Sequence, residues 1–145
     1  MKYMLDTNIC SYIIKNRPIE VFSKFKSLQM DECCISSITY AELKFWVARN
    51  KRLHARSKNQ GKPKVNEQVI SDFVSRLNIM EFDAAAGDIY AGIRDFTEAK
   101  GIIVGEADLM IGSHAISLNA ILVTNNIKGF EAFPNIQLEN WILKR

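Results

Sequence analysis

The N-terminus constrains the fold of this chain more than any other stretch, because an apolar run passes into a helical pattern through a single acid. Residues 2–5 are long enough to form a short buried strand, and residues 9–14 begin a helix. Asp6 stands between them, where the carboxyl end of a first strand borders the ligand crevice of an open α/β sheet. Asp6, Thr7 and Asn8 are also all good helix caps, so this stretch alone leaves a functional and a capping role equally open.

The rest of the chain repeats this alternation of short apolar runs with helical patterns. Further strands are predicted at residues 33–36, 79–82, 120–124 and 136–138. Helices are predicted from Pro18, from residue 38 past 47, and over 65–77, 84–99 and 106–118, with Asp83 capping the fourth of these and Gly101 ending it. Alternating strands and helices predict an α/β fold whose sheet is mainly parallel with helices on both faces. Without an internal repeat or a second apolar pattern, residues 1–145 are predicted to form a single domain.

Composition and cysteine usage narrow the class of protein. The chain is 48% hydrophobic and 24% charged over 145 residues, which is typical of a globular domain with a real core. No run approaches 18 apolar residues and no signal-peptide pattern opens the chain, so we expect a cytoplasmic protein that does not enter membranes. Cys10, Cys33 and Cys34 have neither disulfide nor metal-site spacing and are interpreted as small buried hydrophobes.

The positive charge of the chain is concentrated in one stretch, which we call the basic segment (residues 49–66). It contains His54, no acid and seven cations: Arg49, Lys51, Arg52, Arg56, Lys58, Lys62 and Lys64. The remainder holds twelve basic and sixteen acidic residues, a net charge of −4, although the whole chain is +3. Gly61 and Pro63 predict a loop at the tip of the segment. Such a segment attracts polyanions, above all nucleic acid, although a charge run can also be a solvated loop.

Two further acids occupy positions like that of Asp6. Glu42 and Asp108 each fall near the start of a helix that should begin at the same edge of the sheet. Either alone is explained by the helix dipole, which an acid near the N-terminus stabilises by about 0.3–1 kcal/mol. Three converging carboxylates repel one another, however, so such a cluster is costly unless a cation fills it. Carboxylate oxygens completed by water describe a Mg²⁺ or Mn²⁺ site suited to phosphodiester hydrolysis.

Four stretches together resemble the VapC-type toxins, the PIN-domain ribonucleases of bacterial toxin–antitoxin pairs. They are MLDTN at residues 4–8, ISSITYAEL at 35–43, GEADLMI at 105–111 followed by His114 and Ala115, and LVTNN at 122–126 before Phe130. They occur in the order seen in that family, and the likeness covers nearly the whole chain. Each stretch is weakly informative alone, whereas the four in order are specific.

The resemblance implies a three-layer α/β/α PIN-like fold and a metal-dependent endoribonuclease that cleaves RNA, often tRNA. It assigns Asp6, Glu42 and Asp108 as the carboxylates that bind Mg²⁺ or Mn²⁺ and activate water. It also implies a homodimer and a cognate VapB-type antitoxin as partner. We expect that antitoxin to silence the site by placing an arginine or lysine against the three acids.

The chain departs from this family pattern in two places. Many members carry a fourth acid after the fourth strand, where this chain has Thr124, Asn125 and Asn126. Asn126 is predicted to assist by orienting water or a ligand, without adding charge, so one metal or two stays open. Glu106 is either a substitute for the missing acid or a helix-start acid. The basic segment is also longer than in short members of the family, and its seven cations are predicted to bind RNA.

Other chemistries have less support in the sequence. His114 shares a helix side with Met110 and Ile111 and is interpreted as packed and hydrogen-bonded. Ser36 and Ser37 lack triad partners at suggestive spacing, and no glycine-rich nucleotide-binding loop is present. Two alternatives stay open. The chain could be an inactive RNA-binding relative of the same fold, or a Mg²⁺-dependent phosphatase, although the latter would want an aspartate at position 8, which is Asn.

Overall fold

A five-stranded sheet forms the centre of the molecule. The computed structural model describes residues 2–57, 61 and 63–143. The strands are β1 (Tyr3–Leu5), β2 (Cys33–Ser36), β3 (Asn78–Met80), β4 (Ile121–Val123) and β5 (Gln137–Glu139). Their order is β3-β2-β1-β4-β5, and every neighbouring pair is parallel. Strand β1 is therefore central, and the predicted parallel α/β sheet is confirmed.

Helices connect the strands in the alternation that the sequence predicted. They are α1 (Thr7–Ile14), α2 (Ile19–Lys26), α3 (Ser37–Arg56), α4 (Glu67–Val74), α5 (Ala84–Ala99), α6 (Glu106–Ser117) and α7 (Ile127–Phe130), with a 3₁₀ turn at Met30–Glu32. Asp83 caps α5 by accepting a hydrogen bond from the Ala86 N–H at 3.0 Å. Gly101, at φ +68°, ends the same helix. Both predictions for this helix are confirmed. None of the described helices is long and apolar enough to cross a membrane.

Two hydrophobic clusters cover the two faces of the sheet. Side chains alternate along a strand, so Tyr3 and Leu5 pack into one cluster with helices α1 to α4, while Met4 packs into the other with α5 and α6. All three of these residues are at most 4% exposed. Helices on both faces of the sheet explain why the inner strands β1 and β4 are continuous apolar runs. The predicted three-layer α/β/α arrangement is confirmed.

The structure corrects several predicted boundaries. Strand β3 ends at Met80 rather than at residue 82, because the Phe82 N–H donates to the Ser37 hydroxyl at 3.0 Å instead of continuing the sheet ladder. Pro18 precedes α2 as its N-cap rather than forming its first residue. Helix α3 runs on to Arg56, so the first half of the basic segment is helical. Within the predicted loop at its tip, Lys58 and Lys62 lie outside the described residues.

All three cysteines are free and buried, as predicted. Cys10 and Cys33 belong to the cluster on the α1–α4 side of the sheet, and Cys34 belongs to the cluster on the opposite face. Burial raises the pKa of the Cys33 and Cys34 thiols to about 12 and raises that of Cys10 well above its ordinary value. These thiols therefore pack as small apolar side chains.

Candidate active site

Asp6 lies at the carboxyl end of the central strand and caps helix α1. The Ile9 N–H donates to Asp6 Oδ1 at 2.9 Å, and the side chain of Thr124, at the end of the neighbouring β4, also hydrogen-bonds to the Asp6 carboxylate. Asp6 is only 5% exposed. Asp6 can therefore cap α1 and also serve a functional role. The cap uses Oδ1 of the carboxylate, and the carboxylate still lies at the edge of the sheet.

The environment of Asp6 disfavours its charge. Burial is the largest influence and raises the pKa of the carboxyl group, and the negative charges of Asp108 and Glu42 raise it further. The hydrogen bonds from Thr124 and Ile9 act in the opposite direction without reversing the shift. The ionised form of Asp6 is therefore electrostatically unfavourable, and a nearby cation would stabilise it.

Glu42 reaches the same edge from the second turn of α3, which follows β2. The hydroxyl of Thr7, the first residue of α1, donates to Glu42 Oε1, and the Thr39 hydroxyl oxygen lies 3.5 Å from that of Thr7. Ser36 begins the helix by accepting from the Ile38 N–H at 3.1 Å. Sequence reasoning identified Glu42 but missed Thr7 as its partner, since the two residues are 35 positions apart and only the fold joins them.

Asp108 lies in the first turn of α6. The apolar side chains of α6 pack on one face of the sheet, whereas Leu43 of α3 packs on the other. It is half-buried, and burial raises the pKa of its carboxyl group, with the charge of Glu42 as the second cause. Each pair among Asp6, Glu42 and Asp108 is thus close enough for mutual repulsion to be felt. The structure thus places the three acids that the sequence singled out within electrostatic range of one another.

The donor set at this edge suits a hydrated cation better than a closed protein cage. Among residues 2–57, 61 and 63–143, no three His, Cys, Asp or Glu side chains are already gathered as a metal-binding group. The three carboxylates nevertheless supply hard oxygen donors and unfavourable negative charge in one place. Mg²⁺ usually keeps several waters and takes only one or two carboxylates, so the chemistry of the donors fits it.

Asn126 caps the short helix α7, and its side chain is exposed. Its Oδ1 accepts from the Gly129 N–H at 3.2 Å, while its own N–H donates to Thr124 Oγ1 at 2.9 Å. Since Thr124 in turn bonds to Asp6, Asn126 is connected to the acid cluster through one hydroxyl. Thr124, fully buried, stands after β4, where many members of the resembled family carry their fourth acid, and it serves as a hydrogen-bond partner there.

Glu106 is engaged away from the three acids. Its carboxylate accepts from the Tyr90 hydroxyl and lies 3.8 Å from the Arg94 guanidinium, both on α5. As the first residue of α6 it also complements the helix dipole. The structure therefore favours the helix-start interpretation of Glu106 over its use as a fourth catalytic acid.

His114 lies behind the acids and links two of the helices that carry them. Its Nδ1 is 2.8 Å from the Ser36 hydroxyl, its ring packs edge-on against Phe82 at 5.5 Å between centroids, and it bonds to the Glu81 backbone. Burial lowers the pKa of His114, although Asp83 and Glu81 oppose the shift. The histidine is packed and hydrogen-bonded, as predicted.

The five described cations of the basic segment lie on more than one surface. Arg49, Arg52 and Arg56 are exposed and follow one another at helical spacing along α3. Lys51, also exposed, borders a different pocket between α3 and α4, and Lys64 comes after the helix has ended. Lys58 and Lys62 fall outside the described residues.

Fold and site together define a PIN domain, because an all-parallel sheet between two helical layers places three acids from separate elements at one edge. The family described as "PIN domain" matches residues 3–135. The chain is 44% identical to "Ribonuclease VapC2" of Rickettsia felis over 142 residues, which are 97% of this chain and 98% of that relative. It is 40% identical to "tRNA(fMet)-specific endonuclease VapC" of Shigella flexneri over 141 residues, 97% of this chain and 98% of the relative.

Solved structures give the same assignment. VapBC2 from Rickettsia felis, bound to a DNA fragment from its promoter, superposes with a TM-score of 0.81 at 42% identity, covering 98% of this chain and 100% of that one. DNA-bound VapBC from Salmonella typhimurium gives a TM-score of 0.82 at 37% identity, with 98% and 99% covered. The chain belongs to the PIN domain family and, within it, to the VapC ribonucleases, the toxin components of toxin–antitoxin pairs.

Proposed function

We propose that this ribonuclease cleaves tRNA in a reaction that depends on Mg²⁺ or Mn²⁺ bound by Asp6, Glu42 and Asp108. The observation that carries the metal proposal is the mutual electrostatic strain of these acids, since burial and neighbouring charge raise the pKa of both Asp6 and Asp108. A divalent cation would relieve that strain and would favour the ionised forms. The tRNA proposal rests on the relatives named as tRNA(fMet)-specific endonucleases.

Asp6 and Asp108 would hold the metal, and Glu42 would either hold it as well or accept the proton of the attacking water. Bound there, the ion supplies a Lewis acid that acidifies water and neutralises charge on the phosphodiester. Thr7 keeps the Glu42 carboxylate oriented toward α1 by donating to it. Ile9 and Thr124 hold the Asp6 carboxylate in place by hydrogen bonds. Asn126 would support this arrangement through its N–H bond to Thr124.

The partners proposed for the chain follow from its relatives. The superposed complexes from Rickettsia felis and Salmonella typhimurium contain VapB with VapC, so we propose a VapB-type antitoxin whose cationic side chain occupies the acid cluster. A homodimer and action in the cytoplasm, where tRNA is met, complete the proposal. Co-expression of the small open reading frame next to this gene should relieve toxicity. A purified complex that still cleaves RNA at the rate of the free chain would contradict the proposal that the antitoxin blocks the acid cluster.

The decisive experiment measures cleavage of purified tRNA with chelator, Mg²⁺ or Mn²⁺. Chelation should abolish cleavage and either metal should restore it. Asp6→Asn, Glu42→Gln and Asp108→Asn should each lose at least about a hundredfold, because metal-assisted charge stabilisation is worth several kcal/mol. Asp95→Asn, an exposed acid on α5, is the matched control and should behave as wild type. Full activity in chelator would refute the metal proposal, and RNA binding without cleavage would favour the inactive-module alternative.

A further inference from the structure

A second site lies at the far end of the groove between α1 and α3. These helices follow the neighbouring parallel strands β1 and β2, so both begin at the acid edge and run away from it side by side. Where α1 ends, an open pocket of about 590 Å³ is lined by Ile14, Lys15, Arg17, Trp46, Asn50, Lys64 and Val65. Its volume falls within the roughly 300–1,000 Å³ of sites that bind small ligands.

The pocket is built for negative charge. Three of its lining residues, Lys15, Arg17 and Lys64, are exposed cations, and none of the described residues that line it carries a carboxylate. The ion pairs found within the described part of the chain involve Lys44 and Arg94, and none involves these three cations. Like charges gathered without counter-charge repel one another and attract an anion. The lining therefore selects for an anionic ligand.

The pocket also offers an aromatic wall. Trp46 is partly buried, packing against the core on the α1–α4 side while it lines the pocket. The ammonium of Lys15 lies 5.4 Å from the centre of its ring, and the Asn50 amide donates to the Trp46 carbonyl at 2.8 Å. An indole held by the core is a platform for a planar group. The Lys15 ammonium lies over this ring, and a ligand that combines a planar ring with a phosphate would take its place on the ring while the ammonium turns to the phosphate.

The pocket is aligned with the acid cluster. Glu42, Trp46 and Asn50 follow one another at intervals of four along α3 and therefore share one side of the helix. At a rise of 1.5 Å per residue, Trp46 lies about 6 Å and Asn50 about 12 Å along the axis from Glu42. A strand whose phosphodiester is positioned at the acids would reach this pocket with an adjoining nucleotide.

We propose that this pocket binds one nucleotide of single-stranded RNA next to the cleaved phosphodiester. Lys15, Arg17 and Lys64 hold the backbone phosphate, and the base lies against Trp46. The proposal rests on the RNA cleavage proposed above and adds to it a positioning subsite. It also changes the predicted RNA surface, because among the described cations that line the pocket Lys64 alone belongs to the basic segment, whereas Lys15, Arg17 and Trp46 come from elsewhere in the chain.

The test uses the complete chain carrying Asp6→Asn, in chelator, so that binding is measured without cleavage. The chain has two tryptophans, and Trp141 is buried against Tyr3 at 5.4 Å between ring centroids. The Trp141→Phe substitution therefore leaves Trp46 as the only source of tryptophan fluorescence. Titration with a single-stranded RNA pentanucleotide should change its emission, and the anisotropy of labelled RNA, with Trp141 retained, gives the affinity independently.

Substitutions in the pocket should weaken binding in a defined way. Lys15→Gln, Arg17→Gln and Lys64→Gln combined should lower affinity at least tenfold and should reduce the slope of log affinity against log salt by about 0.7 for each phosphate that is no longer neutralised. Trp46→Leu should lower affinity by roughly 10–100-fold with little change in slope, since stacking is not ionic. The matched control, Lys2→Gln, Lys24→Gln and Lys100→Gln combined, removes equal charge elsewhere and should leave affinity near that of the parent.

The outcomes separate this inference from the proposed function. Wild-type tRNA cleavage together with unchanged RNA affinity in both pocket variants would overturn the subsite and leave the proposed function standing. Trp46-dependent RNA binding in a chain that never cleaves RNA would support the subsite and refute the proposed function. Pocket variants that keep RNA affinity but no longer bind a VapB-type partner would assign the pocket to a protein segment and overturn the inference.

Discussion

The hydroxyl of Ser36 lies 2.8 Å from Nδ1 of His114, across 78 positions of the chain. Ser36 is fully buried and begins α3, the helix of Glu42, while His114 lies on α6, the helix of Asp108. The His114 ring also hydrogen-bonds to the Glu81 backbone, and the Ser36 hydroxyl oxygen accepts from the Ile38 N–H. This short chain of hydrogen bonds fixes the two acid-bearing helices relative to each other.

Ser36→Ala should therefore destabilise the protein by more than an ordinary cap mutation. It removes the cap of α3, at about 0.5–2 kcal/mol, and leaves a buried nitrogen of His114 unsatisfied, at about 1–3 kcal/mol. The free energy of unfolding, measured in denaturant, should fall by roughly 2–4 kcal/mol. Asn66→Ala removes the cap of α4 and the bond from the Asn66 amide to the Pro63 carbonyl, but it leaves no buried histidine nitrogen unsatisfied, so it serves as the control. Equal losses in the two variants would show that the His114 link contributes nothing.

The free energy of unfolding should decrease as the pH is lowered, because His114 is buried. Burial lowers the pKa of its folded form below that of the unfolded chain, near 6.5. The unfolded state then binds more protons at low pH, so stability is complete above about pH 6.5 and declines below it, by up to about 1.4 kcal/mol per pH unit. His114→Gln should flatten this slope, whereas Ser23→Ala, at an exposed residue of α2 that does not titrate, should keep it. Identical slopes in both variants would contradict the assignment.

The acid cluster should change the folding stability with pH in the opposite direction to His114. The folded state raises the pKa of Asp108 above its ordinary 3.8, so its ionised form costs stability at neutral pH. In chelator, Asp108→Asn should raise the melting temperature, by about 2–4 °C for each kcal/mol of strain relieved. The gain should be present above the raised pKa and should vanish as the pH falls to below 3.8. Asp95→Asn is the control, and a neutral or negative effect of Asp108→Asn at pH 7 would refute the strain.

The hydrogen bond from Thr7 to Glu42 should matter for metal binding rather than for folding. Groups that orient a metal ligand typically change metal affinity by 10–100-fold. Thr7→Val, which keeps the shape but removes the donor, should weaken Mn²⁺ binding in calorimetry by roughly that factor. Thr7→Ser restores the hydroxyl and should restore affinity. If Thr7→Val binds Mn²⁺ as wild type does, Glu42 needs no such orientation.

The arginines of α3 should contribute salt-dependent affinity for RNA. Arg49, Arg52 and Arg56 are exposed along one side of the helix. Changing all three to Gln should reduce the slope of log affinity against log salt by about 0.7 for every phosphate that these side chains neutralise in the parent. The measurement is RNA binding by the Asp6→Asn form across a salt series, compared with the Lys2, Lys24 and Lys100 control. An unchanged slope would show that these arginines do not contact RNA phosphates and only form a solvated helix face.

The sequence predicted the sheet well, and it also predicted where the three acids stand relative to their strands and helices, because both depend on local pattern. Buried parallel strands must be continuously apolar, and a cap such as Asp83 acts on a backbone N–H only three residues away. The position of a residue such as Asp6 relative to its strand and helix can therefore be read locally. Element boundaries were less accurate, as at Phe82, where a side chain 45 positions away takes the backbone N–H that the strand would have used.

The partners of the acids could not be predicted in the same way. Thr7 and Glu42 are 35 positions apart, and Thr124 meets Asp6 only because β4 pairs with β1. Lys15, Arg17 and Trp46 carry no shared pattern in the sequence, since they meet where two helices of different length run side by side. Contacts of this kind depend on strand order, which the hydrophobic pattern does not specify.

The three buried cysteines make the two faces of the sheet separately observable. Cys10 and Cys33 lie in one cluster and Cys34 in the other, and burial keeps each thiol protonated. A thiol reagent can reach them only when the layer above each one opens. Pairs of Cys→Ala variants that leave a single thiol would therefore time the opening of one helical layer independently of the other. Labels placed on engineered surface cysteines would, for the same reason, leave the native thiols untouched while the fold is intact.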